Sequence, residues 1–179
     1  MKQGVLAALG LVVLLAACNK KPELVAFSPP GGEFTAQMPS NPWREYKEEQ
    51  TEFGPVEIVA YTSSFDEVQY RVGVEKLPDP LSKQFGPAGS ERAFDLGRDG
   101  MLAQVQARLT EERGKSSKRW RSREVLAALP DGRHKLIGRV FWNPPFLIYA
   151  RAVLPADASY NQDLYAVRFL DSLQIPLRH

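Results

Sequence analysis

Few side chains in this 179-residue chain are of the kinds that do covalent or metal chemistry: two histidines and one cysteine, Cys18. His134 follows an Asp131-Gly132 pair, and His179 is the last residue. A Ser-His-acid relay would need His134 beside a serine and a carboxylate, yet no Gly-x-Ser-x-Gly turn occurs. His134 therefore reads as a polar residue at a hairpin mouth. Asp66-Glu67 could supply paired carboxylates for glycan hydrolysis. Neighbouring residues of a strand point to opposite faces, however, so a solvated turn is the better reading. Metal binding fails on ligand count, with no spaced set of three or four ligands. Gly97 and Gly100 lie in a helical pattern without the Lys-Ser/Thr of a phosphate loop. No catalytic, cofactor-binding or metal-binding residues are expected.

The strongest local anomaly is basic. Arg113, Lys115, Lys118, Arg119, Arg121 and Arg123 fall within eleven residues, with Trp120 among them. Such a cluster suits anionic lipid headgroups, lipopolysaccharide phosphates or an acidic partner, at about 1 kcal/mol per charge near an anionic surface. A Lys/Arg-rich edge strand that discourages sheet-to-sheet association explains it equally physically, and is the favoured reading. Lys+Arg of 23 against Asp+Glu of 21 gives only +2 overall. That near-neutrality argues against a dedicated polyanion or nucleic-acid binder.

Cys18 has a sharper context. Lys2 supplies a positive start, Gly4 to Ala17 is uncharged and apolar, and the run ends Leu15-Ala16-Ala17-Cys18 before Asn19-Lys20-Lys21. The run is shorter than the roughly 20 residues that span a bilayer, and fits a signal-peptide core. Leu15-Ala16-Ala17-Cys18 resembles the lipobox of bacterial lipoproteins. The resemblance implies that residues 1–17 are removed and that Cys18, acylated, becomes the first residue of a membrane-anchored protein. Several acyl chains, at about 0.8 kcal/mol per buried CH₂, would hold permanently. With the one thiol consumed, no disulfide is expected. Asn19 in place of Asp resembles the pattern sorted to the outer membrane, facing the periplasm, in a Gram-negative host. Residues 18–23 form a short tether, and residues 24–179 one domain.

These chemistries need positioning elements. With 44% hydrophobic and 25% charged residues, the composition is that of an ordinary globular domain. Phe34 to Met38 reads as a strand stopped by Pro39, and the charged Trp43 to Thr51 as an edge strand. After a Gly54-Pro55 turn, Val56, Ile58 and Ala60 alternate with Glu57, Val59 and Tyr61. Beyond a turn near Ser64 to Asp66, Val68, Tyr70, Val72 and Val74 alternate likewise. Leu77 to Gly89, with three prolines, reads as a loop. Ser90 caps a helix whose stripe is Phe94, Met101, Leu102, Val105 and Leu109, ending near Gly114.

Arg121 to Leu129 is predicted as a strand, closed by a Pro130-Asp131-Gly132 turn. Lys135 to Trp142 and Phe146 to Leu154 are strands around Asn143-Pro144-Pro145. The last is apolar on both faces and needs cover on both; Trp142 and Tyr149 read as core. Ser159 to Gln162 matches a capping box, opening a helix with Leu164, Val167, Leu170 and Leu173 inward. The class is α+β, an antiparallel sheet with helices packed on it.

The order of elements, with Gly32-Glu33-Phe34-Thr35-Ala36-Gln37-Met38-Pro39 near the start and Phe169-Leu170-Asp171-Ser172-Leu173-Gln174-Ile175 at the end, resembles the PsbP-like α/β/α sandwich. Small envelope lipoproteins similar to DcrB share it. The resemblance spans roughly residues 24–176. It implies a central antiparallel sheet flanked by helices, and members that act mainly as accessory or assembly factors. It carries over no catalytic residues. The expected function is a non-catalytic, membrane-anchored envelope module that binds a protein partner or supports assembly. The alternative is a carrier or sensor of a lipid or apolar ligand; an envelope hydrolase comes third.

Overall fold

In the computed structural model, residues 23–39, 42–86, 91–116 and 121–176 are described. Among them the strands are β1 (Leu24–Phe27), β2 (Ala36–Pro39), β3 (Trp43–Thr51), β4 (Gly54–Phe65) and β5 (Val68–Lys76). Helices α1 (Asp79–Phe85) and α2 (Glu91–Ala103) follow. The chain then forms β6 (Arg108–Ser116), β7 (Arg121–Ala128), β8 (His134–Asn143), β9 (Phe146–Pro155) and α3 (Tyr160–Ser172). Seven strands make one antiparallel sheet in the order β3-β4-β5-β9-β8-β7-β6, and β1 pairs with β2 apart from it.

The alternating strands bury what their spacing promised. Val68, Tyr70, Val72 and Val74 of β5 join Ile148, Ala150, Ala152 and Leu154 of β9 beneath α3 and β2. The opposite face of β9, Leu147 and Tyr149, packs with Leu136, Val140 and Trp142 of β8 beneath α1 and α2. Each fully buried side chain of this size contributes about 1.5–3 kcal/mol, so β9, covered on both faces, anchors both layers. Trp142 and Tyr149 are core residues. Thr35 and Gln174 exchange backbone hydrogen bonds of 2.8 Å each. The two segments that carry the family resemblance therefore lie against each other.

Five expectations need correction. The expected 77–89 loop contains α1; Pro80 stands in its first turn, where a proline lacks no needed N–H. The long helix stops at Ala103 instead of running to Gly114. Gln106 takes φ 53°, the Ala107 N–H donates to the Leu102 carbonyl at 3.0 Å, and the chain turns into β6. Val105 and Leu109 matched the helical spacing without belonging to it, and Leu109 lies on the edge strand.

The turn between β4 and β5 is Asp66-Glu67, one residue later than expected, with φ of 50° and 62° at the two corners. Gly54, expected in a turn, opens β4. In α3 the inward stripe is Ala166, Phe169 and Leu170, with Leu173 just beyond; Val167 is exposed. The expected capping box is present, with the Gln162 N–H donating to Ser159 Oγ. The class is α+β in one domain, richer in sheet than a balanced α/β/α sandwich, because β6 lies where helix was expected and β1 adds a strand ahead of the first one expected.

Candidate functional site

The residues singled out from the sequence do not converge. Cys18, Lys118, Arg119 and Trp120 lie outside the described residues. Arg113 and Lys115 on edge strand β6 point to the α3 side. Arg121 and Arg123, across the β6–β7 hairpin, point to the α2 side, because side chains alternate along each strand. Acidic partners meet them on both faces. Arg113 pairs with Glu111, and Lys115 with Glu124 at 3.0 Å and Asp171 at 3.5 Å. Arg121 pairs with Glu91 at 2.6 Å, while Arg123 reaches Glu91, Asp95 (2.6 Å) and Glu112 (2.7 Å) and lies over the Phe94 ring. Burial opposes the charge of Arg123, but its three carboxylate hydrogen bonds outweigh that and hold it above the usual guanidinium value.

His134 sits where the sequence placed it, at the mouth of the β7–β8 hairpin. Its Nδ1 is 2.6 Å from Asp131, whose other carboxylate oxygen accepts the Arg133 and His134 N–H groups. The His134 hydrogen bond, with those backbone bonds, holds the Asp131 carboxyl below its ordinary value. Asp66 and Glu67 are exposed in their turn, and the Asp66 carbonyl accepts a hydrogen bond from Gln162 Nε2 at 2.8 Å.

The site that sequence reasoning missed lies on the α2 side of the sheet. Helix α2 packs on β7, β8 and β9, and beyond its C-terminal end a cleft of about 350 Å³ opens over β3, β4 and β5. Ile58 and Ala60 line it, with Glu45, Lys47 and Glu49 from β3, Arg71 from β5, Arg151 from β9 and Gln104 just past α2. The alternation that sends Val68, Tyr70, Val72 and Val74 under α3 sends Arg71, Gly73 and Glu75 this way. Tyr149 and Arg151 share the face from β9.

Arg71 and Arg151 are register partners. Arg71 Nη1 donates to Glu45 and, at 2.9 Å, to Thr62 Oγ1. Arg151 is 4% exposed, and its Nη1 donates to the Met101 carbonyl at 3.0 Å. The Nε of each arginine has no hydrogen-bond partner among the described residues. Burial pulls Arg151 down to about 10, and repulsion from Arg71 adds to the effect. Burial also opposes the charge of Arg71, but its bonds to Glu45 and Tyr149 hold it above its ordinary value. Hydrogen bonds from Trp43 and Arg71 hold Glu45 below the usual carboxylate range. Farther along β5, Glu75 is pushed up to about 7 by burial and then by the Glu49 charge.

Beside the cleft, a glycine makes room for Tyr149. A Cβ at Gly73 would stand 2.1 Å from the Tyr149 ring, so only glycine lets that ring lie across β5. The Tyr149 hydroxyl then meets the Gln104 amide at 2.6–2.9 Å. The signal for this site was present in the sequence: Arg151 interrupts a strand otherwise apolar on both faces, where a cation is out of place.

No family model and no curated protein matches this chain. Among solved structures, the solution structure of cyanobacterial PsbP (CyanoP) from Synechocystis sp. PCC 6803 superposes with a TM-score of 0.58 at 14% identity, covering 97% of this chain and 100% of that one. At that identity the likeness shows the fold alone, and the fold is PsbP-like. A Pseudomonas aeruginosa protein of unknown function aligns at a TM-score of 0.40 and 10% identity, over 88% of this chain and 99% of that one, too distant to carry an argument.

Proposed function

We propose that this chain is a lipid-anchored, non-catalytic binding module of the bacterial cell envelope, held to the membrane through Cys18 and engaging its target at the β3–β4–β5–β9 cleft. The observation that carries the binding role is the Arg71–Arg151 pair: two register-paired cations, one of them buried, at the base of an open cleft. Such an arrangement costs stability in isolation and makes sense where a target compensates it. The lipobox supports the anchor, and Asn19 supports an outer-membrane address in a Gram-negative host. The PsbP-like likeness supports an α/β/α accessory fold of the kind found in DcrB-like lipoproteins.

Six residues from Cys18 to Glu23 reach at most roughly 20 Å, so β1 would start close to the bilayer. A carrier of apolar ligands draws less support. An apolar opening among the described residues, between α3 and β7 beside Leu126 and Val167, holds only about 180 Å³.

Membrane fractionation tests the anchor. The native chain should stay with outer membranes through a high-salt wash and incorporate labelled palmitate, and Cys18→Ala should do neither. A Cys18→Ala protein that still sediments after the wash would sink the lipobox reading. Cross-linking in intact cells tests the module: the absence of any reproducible partner or retained ligand would count against it.

A further inference from the structure

The deep and shallow charges of the cleft are sorted by sign. Deep in it are the two guanidiniums, with side chains of Arg71 15% exposed and Arg151 4% exposed as a residue. Around the mouth stand Glu45 and Glu49, each with a side chain 48% exposed, and Lys47 at 67%. Among the described residues Arg71 pairs with Glu45 and Lys47 with Glu49, whereas Arg151 has a single backbone carbonyl as partner. The base of the cleft is therefore short of one anion.

We propose that this cleft binds a small organic molecule through one carboxylate group, received jointly by Arg71 and Arg151. The inference rests on reading the chain as a binding module and names the chemistry of what it binds.

Three features select that class. A volume of about 350 Å³ lies in the range of small-molecule sites. Guanidinium groups take carboxylates through charge-assisted hydrogen bonds, and among the described residues Arg151 Nη1 is the only one of its nitrogens engaged. At the mouth Glu45 is paired with Arg71, and the one exposed cation, Lys47, is paired with Glu49, so a phosphate dianion or a polycarboxylate finds no uncompensated cation there for its further charge. A single carboxylate whose far end is neutral or cationic meets complementary charge at both depths. The competing account is structural: Arg151 only caps the C-terminal turn of α2 through the Met101 carbonyl.

Calorimetric titration of the full-length protein in detergent at pH 7 separates the two. The probes are butyrate, 4-aminobutyrate, butylamine and inorganic phosphate. Butyrate and 4-aminobutyrate should bind, the latter more tightly, and butylamine should not. Arg151→Met and Arg71→Gln should each weaken both carboxylates by about tenfold or more, as expected for a lost charge-assisted hydrogen bond. Arg71→Gln, nearer the mouth, keeps the test valid should Arg151→Met disturb α2. Absence of carboxylate binding, unchanged affinity in both variants, butylamine binding as tightly as butyrate, or phosphate binding more tightly than either carboxylate would each overturn the proposal. Membrane fractionation does not enter this readout, so a failed anchor and a failed site are told apart.

Discussion

Arg71 on β5 and Arg151 on β9 stand opposite each other in the antiparallel ladder, on the same face, and among the described residues have between them a single carboxylate partner, the Glu45 held by Arg71. Like charges at directly opposed positions destabilise a sheet, and burial of Arg151 deepens the cost. A central strand carrying that cost is spending stability on something other than folding.

Arg151→Met should therefore unfold no earlier than the native chain in the absence of ligand. It loses the bond to Met101, but it also removes a buried cation and its repulsion, an exchange that is often neutral or stabilising. We expect a Tm unchanged or raised by roughly 2–4 °C, corresponding to about 1 kcal/mol in a domain of this size. Differential scanning calorimetry decides; a fall beyond about 4 °C would mean that the cation holds the end of α2.

Glu75 gives a pH signature of known sign. Its carboxyl is pushed from the ordinary 4.5 up to about 7 in the folded protein. Between those values the folded state binds more protons than the unfolded one, so this group lowers stability as pH rises from about 4.5 to about 7, with a constant penalty above. Glu75→Gln should match the native protein near pH 4 and exceed it in Tm at pH 8. Carboxylates held low by neighbouring cations, Asp95 by Arg123 and Glu124 by Lys115 and Arg139, act in the opposite direction in both proteins and cancel in the difference. Parallel Tm curves from pH 4 to 8 would refute the assignment.

Two glycines of the same sheet should respond differently to a methyl group. At Gly73 the new Cβ would lie 2.1–2.4 Å from the rigid, fully buried Tyr149 ring. At Gly138 it would meet the end of the Met101 side chain at 2.8 Å, which has rotatable bonds to give way with. Gly73→Ala should cost about 3 kcal/mol and open the Tyr149–Gln104 contact; Gly138→Ala should cost about 1 kcal/mol. Urea unfolding of both variants checks the order, which must not invert.

How far the fold could be read from the sequence follows the kind of pattern each segment carries. Strands β4, β5, β8 and β9 showed because one or both faces are apolar, and α3 showed through its capping box. Strand β6, Arg-Leu-Thr-Glu-Glu-Arg-Gly-Lys-Ser, is an edge with charge on both faces. It has no apolar period, so Val105 and Leu109, in step with Met101 of α2, were free to mimic a longer helix. Helix α1 was hidden by prolines that begin helices as readily as they break loops. The cleft went unread because its two arginines sit eighty residues apart in the chain, joined only by register: Arg71 and Arg151 meet through the β5–β9 pairing, which no local spacing encodes.

The last prediction divides the basic segment by its two faces. Arg123, with a side chain 13% exposed, ties Glu91, Asp95 and Glu112 together from two elements and covers the Phe94 ring. Arg123→Ser leaves Glu91 to Arg121 and Asp95 and Glu112 to Arg98, without the cation that joins all three, and should lower stability by about 2 kcal/mol, or roughly 4–8 °C in Tm. Arg113, 73% exposed on the edge strand and paired among the described residues with Glu111 alone, should matter little to folding: Arg113→Ser stays within about 0.5 kcal/mol. Its effect belongs to association. A charged β6 keeps its free backbone edge from pairing with another sheet, so Arg113→Ser combined with Lys115→Ser should leave Tm nearly unchanged while light scattering rises faster on warming. If the double variant instead loses binding to anionic vesicles without aggregating, the segment is a contact surface and the edge-guard account is wrong. If Arg123→Ser melts within a degree or so of the native protein, the carboxylate network around it contributes nothing to the fold.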